Sequence, residues 1–234
     1  MINLSRVTLF AIDNTNRIEG TIKSLYTSME FAKFGSVKLV TSKEHIDKYS
    51  GELLEDGIIC EEMIPNITNM DEYNHYILYE LYNHIDTEYV LITQDHAFII
   101  NSESWTDEFF EYDYIGAPWP YSETAFITPF GEHVRCGNGG FSLRSKKLLE
   151  LPSKINIPFN VAELPEFYKM FGSVNTNEDG NICVHNRHIF IENGCKFPSI
   201  EITSKFSYET PIPENQRIIP FGFHRNIPPQ ITIE

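Results

Sequence analysis

Short apolar runs rich in β-branched residues alternate with stretches of helical spacing along the first hundred residues. This alternation constrains the fold more than any other feature of the chain. Arg6–Ile12 is the first run and a strand candidate. From Arg17 to Phe34, apolar residues fall at Ile18, Ile22, Leu25, Tyr26, Met29 and Phe31, close to one face of a helix. Ser36–Ser42 and Ile58–Ile64 repeat the strand pattern. Met70–Ile85 returns to helical spacing through Tyr73, Tyr76, Ile77, Glu80, Leu81 and His84, and Tyr89–Thr93 is the next strand. Strands and helices alternating at this spacing imply βαβ units and a mostly parallel sheet. No GxGxxG follows the first strand, no P-loop is present, and neither Ser nor Cys sits in a nucleophile elbow. These absences set aside several common α/β enzymes.

After Asn101 the rhythm breaks. Pro118, Pro120, Pro129 and Gly131 mark a long irregular segment from Pro118 to Gly140, and irregular segments of that length are usually functional or mobile. Helices are expected over Lys146–Leu151, Leu164–Phe171 and Glu178–Glu192, the last stopped by Asn193-Gly194. Cys195–Ser204 reads as a late strand, and Pro211–Pro229 as an extended, proline-rich tail. No internal repeat or low-complexity tract is found. The pattern implies one α/β domain over residues 1–234 with a C-terminal segment wrapped around it.

Composition narrows the function. A chain of 234 residues with 41% apolar content can bury a large core. Its net charge of −15 repels phosphate backbones and argues against nucleic-acid binding, although a local pocket can still hold a small phosphorylated molecule. Cys60, Cys136, Cys183 and Cys195 form no CxxC pair and are expected as reduced thiols. No run approaches the roughly 20 apolar residues that cross a bilayer, and Val7–Ile12 is too short for a signal-peptide core. A soluble cytoplasmic protein is expected.

Several polar groups stand where chemistry is expected. Gln94-Asp95-His96 follows the Tyr89–Thr93 strand; the carboxyl end of a strand is where α/β sheets bind ligands. Asp95 and His96 could ligate a divalent cation on two phosphates, and a plain polar strand-to-loop transition fits them as well. Gly137-Asn138-Gly139-Gly140 is a tight turn over which a ligand can approach the backbone. Arg144, four residues on, could meet a phosphate or carboxylate, and a surface or helix-capping arginine fits it as well. Glu178-Asp179 opens an expected helix. The pair could serve as a general base and an acceptor-positioning carboxylate, or simply cap the helix. Adjacent helical residues point about 100° apart, which disfavours a hydrolase pair flanking one bond. His224 lies in the tail among aromatics, either packed there or folded back over the site.

Taken in order, these motifs resemble a family. Gln94-Asp95-His96-Ala97-Phe98, Trp105-x-x-Glu108-Phe109, Tyr112-Asp-Tyr-Ile-Gly-Ala-Pro-Trp119, Gly137-Asn-Gly-Gly-Phe-Ser-Leu-Arg-Ser145, Glu178-Asp179, Phe206-Ser-x-Glu209 and Phe221-Gly-Phe-His224 are similar to an uncharacterised group of GT-A-fold glycosyltransferase-like proteins. The match runs from the first strand to His224. The resemblance implies a Rossmann-like, mostly parallel central sheet flanked by helices. Residues 1–100 would form a nucleotide-sugar-binding half, and 101–234 an acceptor half with the tail. It implies a donor, UDP-linked by expectation, held by Ala11, Asp13, Asn14, Gln94, Asp95 and Arg144. A divalent metal, Mn²⁺ rather than Mg²⁺, would sit on Asp95, His96 and His224. His96 stands where the group usually has a metal-binding aspartate. An acceptor glycan or other hydroxyl compound would meet Trp119, Asn138, Gly139 and Gly140. Asp179, beside Glu178, would take the acceptor proton in an inverting transfer. Two alternatives stay open: a binding or scaffold protein that kept the fold without the chemistry, and a viral DNA-modifying glycosyltransferase, which the −15 charge disfavours.

Overall fold

In a computed structural model, residues 1–159 and 176–231 are described. The chain opens with β1 (Ile2–Ile12), α1 (Ile18–Phe31), β2 (Ala32–Thr41), α2 (Lys43–Glu55) and β3 (Ile59–Glu62). It continues through α3 (Met70–Tyr79), a 3₁₀ turn at Leu81–His84, β4 (Tyr89–Ile92), β5 (Ala97–Ile99), β6 (Tyr114–Ile115), β7 (Ser142–Ser145) and α4 (Lys146–Lys154). After the undescribed residues come the single turn α5 (Glu178–Gly180), a π-helical turn Asn181–His185, α6 (Arg187–Glu192), α7 (Ile200–Phe206), β8 (Ser207–Tyr208) and β9 (Gly222–His224). The expected helix at Leu164–Phe171 lies outside the described residues.

The main sheet has the order β3-β2-β1-β4-β7-β6. β1 pairs in parallel with β2 and β4, and β2 with β3, whereas β7 runs antiparallel to both β4 and β6. The α/β class with a mostly parallel central sheet flanked by helices is therefore as expected. β1 is buried on both faces, which is why its sequence reads as a continuous apolar run. Phe10 and Ile12 pack with Ile77 of α3 and Leu148 of α4. Leu9 and Ala11 pack on the other side with Leu25 of α1 and Leu53 of α2. Each such Leu or Phe contributes about 1.5–3 kcal/mol on burial.

Several boundaries depart from expectation. β2 begins at Ala32, paired with Ile2, so α1 stops short of Phe34. α3 ends at Tyr79 and tightens into the 3₁₀ turn. α2 carries no apolar stripe that announces it, for it buries only Leu53. The Glu178–Glu192 helix is broken, because Asn186 N–H reaches back to Asn181 O at 2.9 Å in a π-helical turn. The two asparagine amides also bond to the carbonyl of Pro158, and that of Asn181 to Phe159 O as well. Cys195–Ser204 is not a strand: Ser199 opens α7, which buries Ile202, Thr203 and Phe206.

The tail does wrap around. β9 lies between β5 and β8 in a second small sheet. Its register sets His224 opposite Ala97, next to His96. Among the described residues no helix is long and apolar enough to cross a membrane, and the four cysteines are free.

Candidate active site

The sheet order reverses at β1. The chain moves outward from β1 to β2 and β3, then returns to β4 on the other side. At such a switch point the loops leaving two adjacent parallel strands diverge and leave a crevice. A cavity of about 430 Å³ occupies this place. Ile12, Asp13 and Asn14 line it from the end of β1, Gln94, Asp95 and His96 from the end of β4, and His224 and Arg225 from the tail.

The side chains of the cavity are held by their own neighbours. Asp13 accepts hydrogen bonds from the Thr15 amide and hydroxyl at 2.7 Å each, and from the Thr21 hydroxyl at 2.6 Å. Asn14 donates its amide to Asn66 Oδ1 and Ile67 O, which fastens the end of β1 to the loop before α3. Gln94 donates to the Tyr73 hydroxyl at 2.8 Å. Asp95 Oδ1 stands 3.4 Å from Arg17 Nη1. Ala11, by contrast, is fully buried in β1 and leaves its neighbour Ile12 to face the cavity.

The Gly139-Gly140 turn joins this cavity to a second, buried cluster. The His224 imidazole lies against Gly140, where a Cβ would stand 2.3 Å from Nε2. Gly139 has no more room: a Cβ there would meet Glu178 Oε1 at 2.3 Å and Arg144 Nη2 at 2.9 Å. The Gly139 amide donates to Asp179 Oδ2 at 3.0 Å, and Asn138 Oδ1 accepts from the Gly140 amide at 3.1 Å. His224 Nδ1 faces Glu209 Oε1 at 3.0 Å. A carboxylate can only accept, so this bond fixes the proton on Nδ1.

Arg144 does not reach the cavity. It is fully buried under the turn, with Nη2 2.7 Å from Glu178 Oε1, Nε 3.0 Å from Ser142 Oγ, and its guanidinium 4.8 Å from the Tyr114 ring centroid. The donor-phosphate role expected for Arg144 is corrected accordingly: it lines no part of the cavity and its charge is paired with Glu178 inside the protein, although its Nη1 finds no hydrogen-bond partner among the described residues. Glu178 is buried as well and tied to that arginine, so it cannot swing out to an acceptor. Trp119 is a packed residue, 6% exposed and stacked on Phe126 at 4.3 Å, with its ring edge against Gly137. It offers no open ring face to a sugar.

Asp179 differs from its neighbour. It is half-buried, and desolvation, reinforced by the charge of Glu178, pushes its carboxyl up to about 8 against the opposing pull of Arg144 and two backbone amides. A carboxylate tuned towards neutrality suits proton abstraction near physiological pH. Tyr73 bridges the two regions. It lines the cavity, and burial together with the Glu178 carboxylate raises its phenol.

Asp95, His96 and His224 share the cavity wall, and His96 Nε2 lies 3.6 Å from Asp95 Oδ2. Among the described residues, however, no group of three His, Cys, Asp or Glu side chains is close enough to hold a metal ion. Asp95 faces an arginine, and the His96 side chain is 77% exposed on a left-handed backbone with φ 59°. The residues as arranged do not fit a metal centre. Sequence reasoning overlooked Tyr73, Arg17, Arg225 and Glu209. Tyr73 was legible only as part of a helical stripe, and Glu209 stands within the quoted Phe-Ser-x-Glu motif without a role.

Comparison with known proteins gives a family and a fold. Residues 59–224 match the family described as "Protein of unknown function (DUF5672)", and the chain belongs to that family. No curated protein matches the sequence. Among solved structures, a galactosyltransferase LgtC in complex with donor and acceptor sugar analogs is similar at 12% identity and a TM-score of 0.56, over 93% of this chain and 86% of that one. A glycosyltransferase involved in the glycosylation of the major capsid of PBCV-1 is similar at 14% identity and a TM-score of 0.51, over 94% and 92%. At this identity the likeness is one of fold.

Proposed function

We propose that this chain transfers a sugar from a nucleotide-sugar donor, UDP-linked by preference, to a hydroxyl acceptor with inversion at the anomeric carbon. The supporting observation is the Gly139-Gly140 turn. Gly140 lies against the His224 imidazole that walls the switch-point cavity, and Gly139 donates its amide to Asp179. On this reading a donor in the cavity presents its anomeric carbon across the turn towards Asp179, whose carboxyl is tuned to accept a proton. The fold is shared with glycosyltransferases, which perform this class of chemistry on it.

In the transfer, Asp179 takes the proton of the acceptor hydroxyl as that oxygen attacks the anomeric carbon. The new C–O bond forms on one face while the bond to the diphosphate oxygen breaks on the other. The nucleoside diphosphate leaves with the electron pair, and the carboxylate ends as a carboxylic acid. Glu178 and Arg144 serve as positioning residues: their buried pair holds α5 and the glycine turn together. No step runs through a metal.

Asp179→Asn should lower transfer by about 10²–10⁴-fold, the usual contribution of a general base, with donor binding nearly unchanged. Transfer that survives in Asp179→Asn removes Asp179 from the mechanism. Donor binding without any turnover in the unaltered protein would leave a binding protein on the same scaffold.

A further inference from the structure

The charged lining of the cavity consists of Asp13, Asp95, Arg17 and Arg225, with His96 and His224 beside them. On a chain of net charge −15 this site is locally balanced. Its two acids are engaged by the chain itself. Asp13 is ringed by Thr15 and Thr21, and Asp95 is faced by Arg17 at 3.4 Å and His96 at 3.6 Å. The arginines are the more available groups. The Arg17 side chain is 66% exposed, and its contact with Asp95 is longer than a direct hydrogen bond. Arg225 is exposed, and its backbone N–H donates to His96 O at 2.9 Å. That bond fixes its Cα beside the β4 triplet, on a left-handed backbone with φ 62°.

We propose that Arg17 and Arg225 form the cationic clamp for the donor diphosphate, in the place of a divalent metal. This inference rests on the donor reading above and deepens it. Each guanidinium presents a rigid fork of N–H donors that matches two phosphate oxygens. Two such groups offset the charge that develops on the departing diphosphate. Asp95 is then a positioning residue, holding Arg17 over the cavity until a phosphate takes over the contact.

The two chemistries give opposite signs at one residue. A metal held by Asp95 is lost in Asp95→Asn, whereas a clamp released by the same change binds an anion as well or better. The test is calorimetric titration of the whole chain with uridine, guanosine and cytidine diphosphates, in EDTA and in Mn²⁺. The unaltered protein should bind one of them in EDTA within about twofold of its affinity in Mn²⁺. Arg17→Ala and Arg225→Ala should each weaken that binding by about tenfold, the scale of one charge-assisted hydrogen bond. Asp95→Asn should bind at least as tightly. Both arginines are on the surface, so thermal melts of the variants should overlay the parent. Binding that needs Mn²⁺ and vanishes in Asp95→Asn overturns the clamp and leaves the donor site standing. Absence of binding for every diphosphate in either condition overturns both.

Discussion

The cavity at the ends of β1 and β4 and the cluster beneath the Gly139-Gly140 turn both concentrate charge, and they treat it in opposite ways. In the cavity the two arginines are open to solvent: the Arg17 side chain is 66% exposed over an Asp95 that is only 12% exposed, and Arg225 is exposed as well. In the cluster Arg144 and Glu178 are out of solvent, at 0% and 7% side-chain exposure, and meet at 2.7 Å. Exposed pairs contribute about 0–1 kcal/mol and rearrange readily. A buried pair cannot lose one partner without stranding the other charge. The first region is built to exchange its partners for a ligand and the second to keep them. Asp179 is intermediate in burial: it belongs to the cluster, bonded to the Gly139 amide, and is half-buried where Arg144 and Glu178 are out of solvent.

The strongest challenge to this contrast is to remove one charge from each region. Glu178→Ala should destabilise the fold by about 3–5 kcal/mol because it leaves the Arg144 guanidinium buried and unmatched. Arg17→Ala should stay within about 0.5 kcal/mol of the parent, as surface changes do. Equal losses in denaturant unfolding would erase the distinction.

The intermediate character of Asp179 predicts a pH effect. Its carboxyl is raised to about 8 in the fold, above the ordinary value near 3.9. The native state therefore holds this proton where the unfolded chain has released it. The contribution to stability is full below about pH 4 and is lost as pH rises through about 8. Asp179→Asn should thus gain melting temperature relative to the parent between pH 4 and pH 9. Transfer needs the ionised form, so the rate should climb about tenfold per pH unit below pH 8 and level off above it. A flat profile from pH 6 to pH 9 would remove Asp179 as the titrating base.

A smaller effect is expected at the joint between the regions. Gly140→Ala places a methyl group 2.3 Å from His224 Nε2, and such overpacking costs about 1–3 kcal/mol. Because His224 walls the cavity, donor affinity should fall in the same variant. Full affinity would show that the turn does not couple the two regions.

Much of the sheet and of the cavity at its strand ends was legible in the sequence. β1, β2 and β4 are announced by apolar β-branched runs, and the polar residues after β1 and β4 mark the strand ends where ligands bind. The resemblance also named Asp179, Gly139, Gly140 and His224, but in separate catalytic, acceptor and metal roles; that the turn touches both Asp179 and His224, the latter 84 positions beyond Gly140, emerges only in the fold. What stayed hidden depends on contacts across the fold. Nothing around Arg144 tells that it is matched by Glu178 and shielded from the cavity. α2 was silent because it buries only Leu53. Cys195–Ser204 misled because Ile200, Ile202 and Thr203 favour strands locally, while burial of Ile202, Thr203 and Phe206 on one helical face decided otherwise. Arg17 and Arg225 gave no motif at all; only the closure of β9 against β5 brings the second of them to the cavity.

The most direct test of the account is the melting temperature of the pure chain against a panel of nucleotides and nucleotide sugars, each with EDTA and with Mn²⁺. A ligand at 100 times its Kd contributes about 2.7 kcal/mol, which in a chain of this size raises the midpoint by roughly 5–10 °C. The account predicts such a rise with one nucleoside diphosphate and its sugar conjugate, and none with the matching nucleoside. A panel that leaves the midpoint unmoved at millimolar ligand would contradict it.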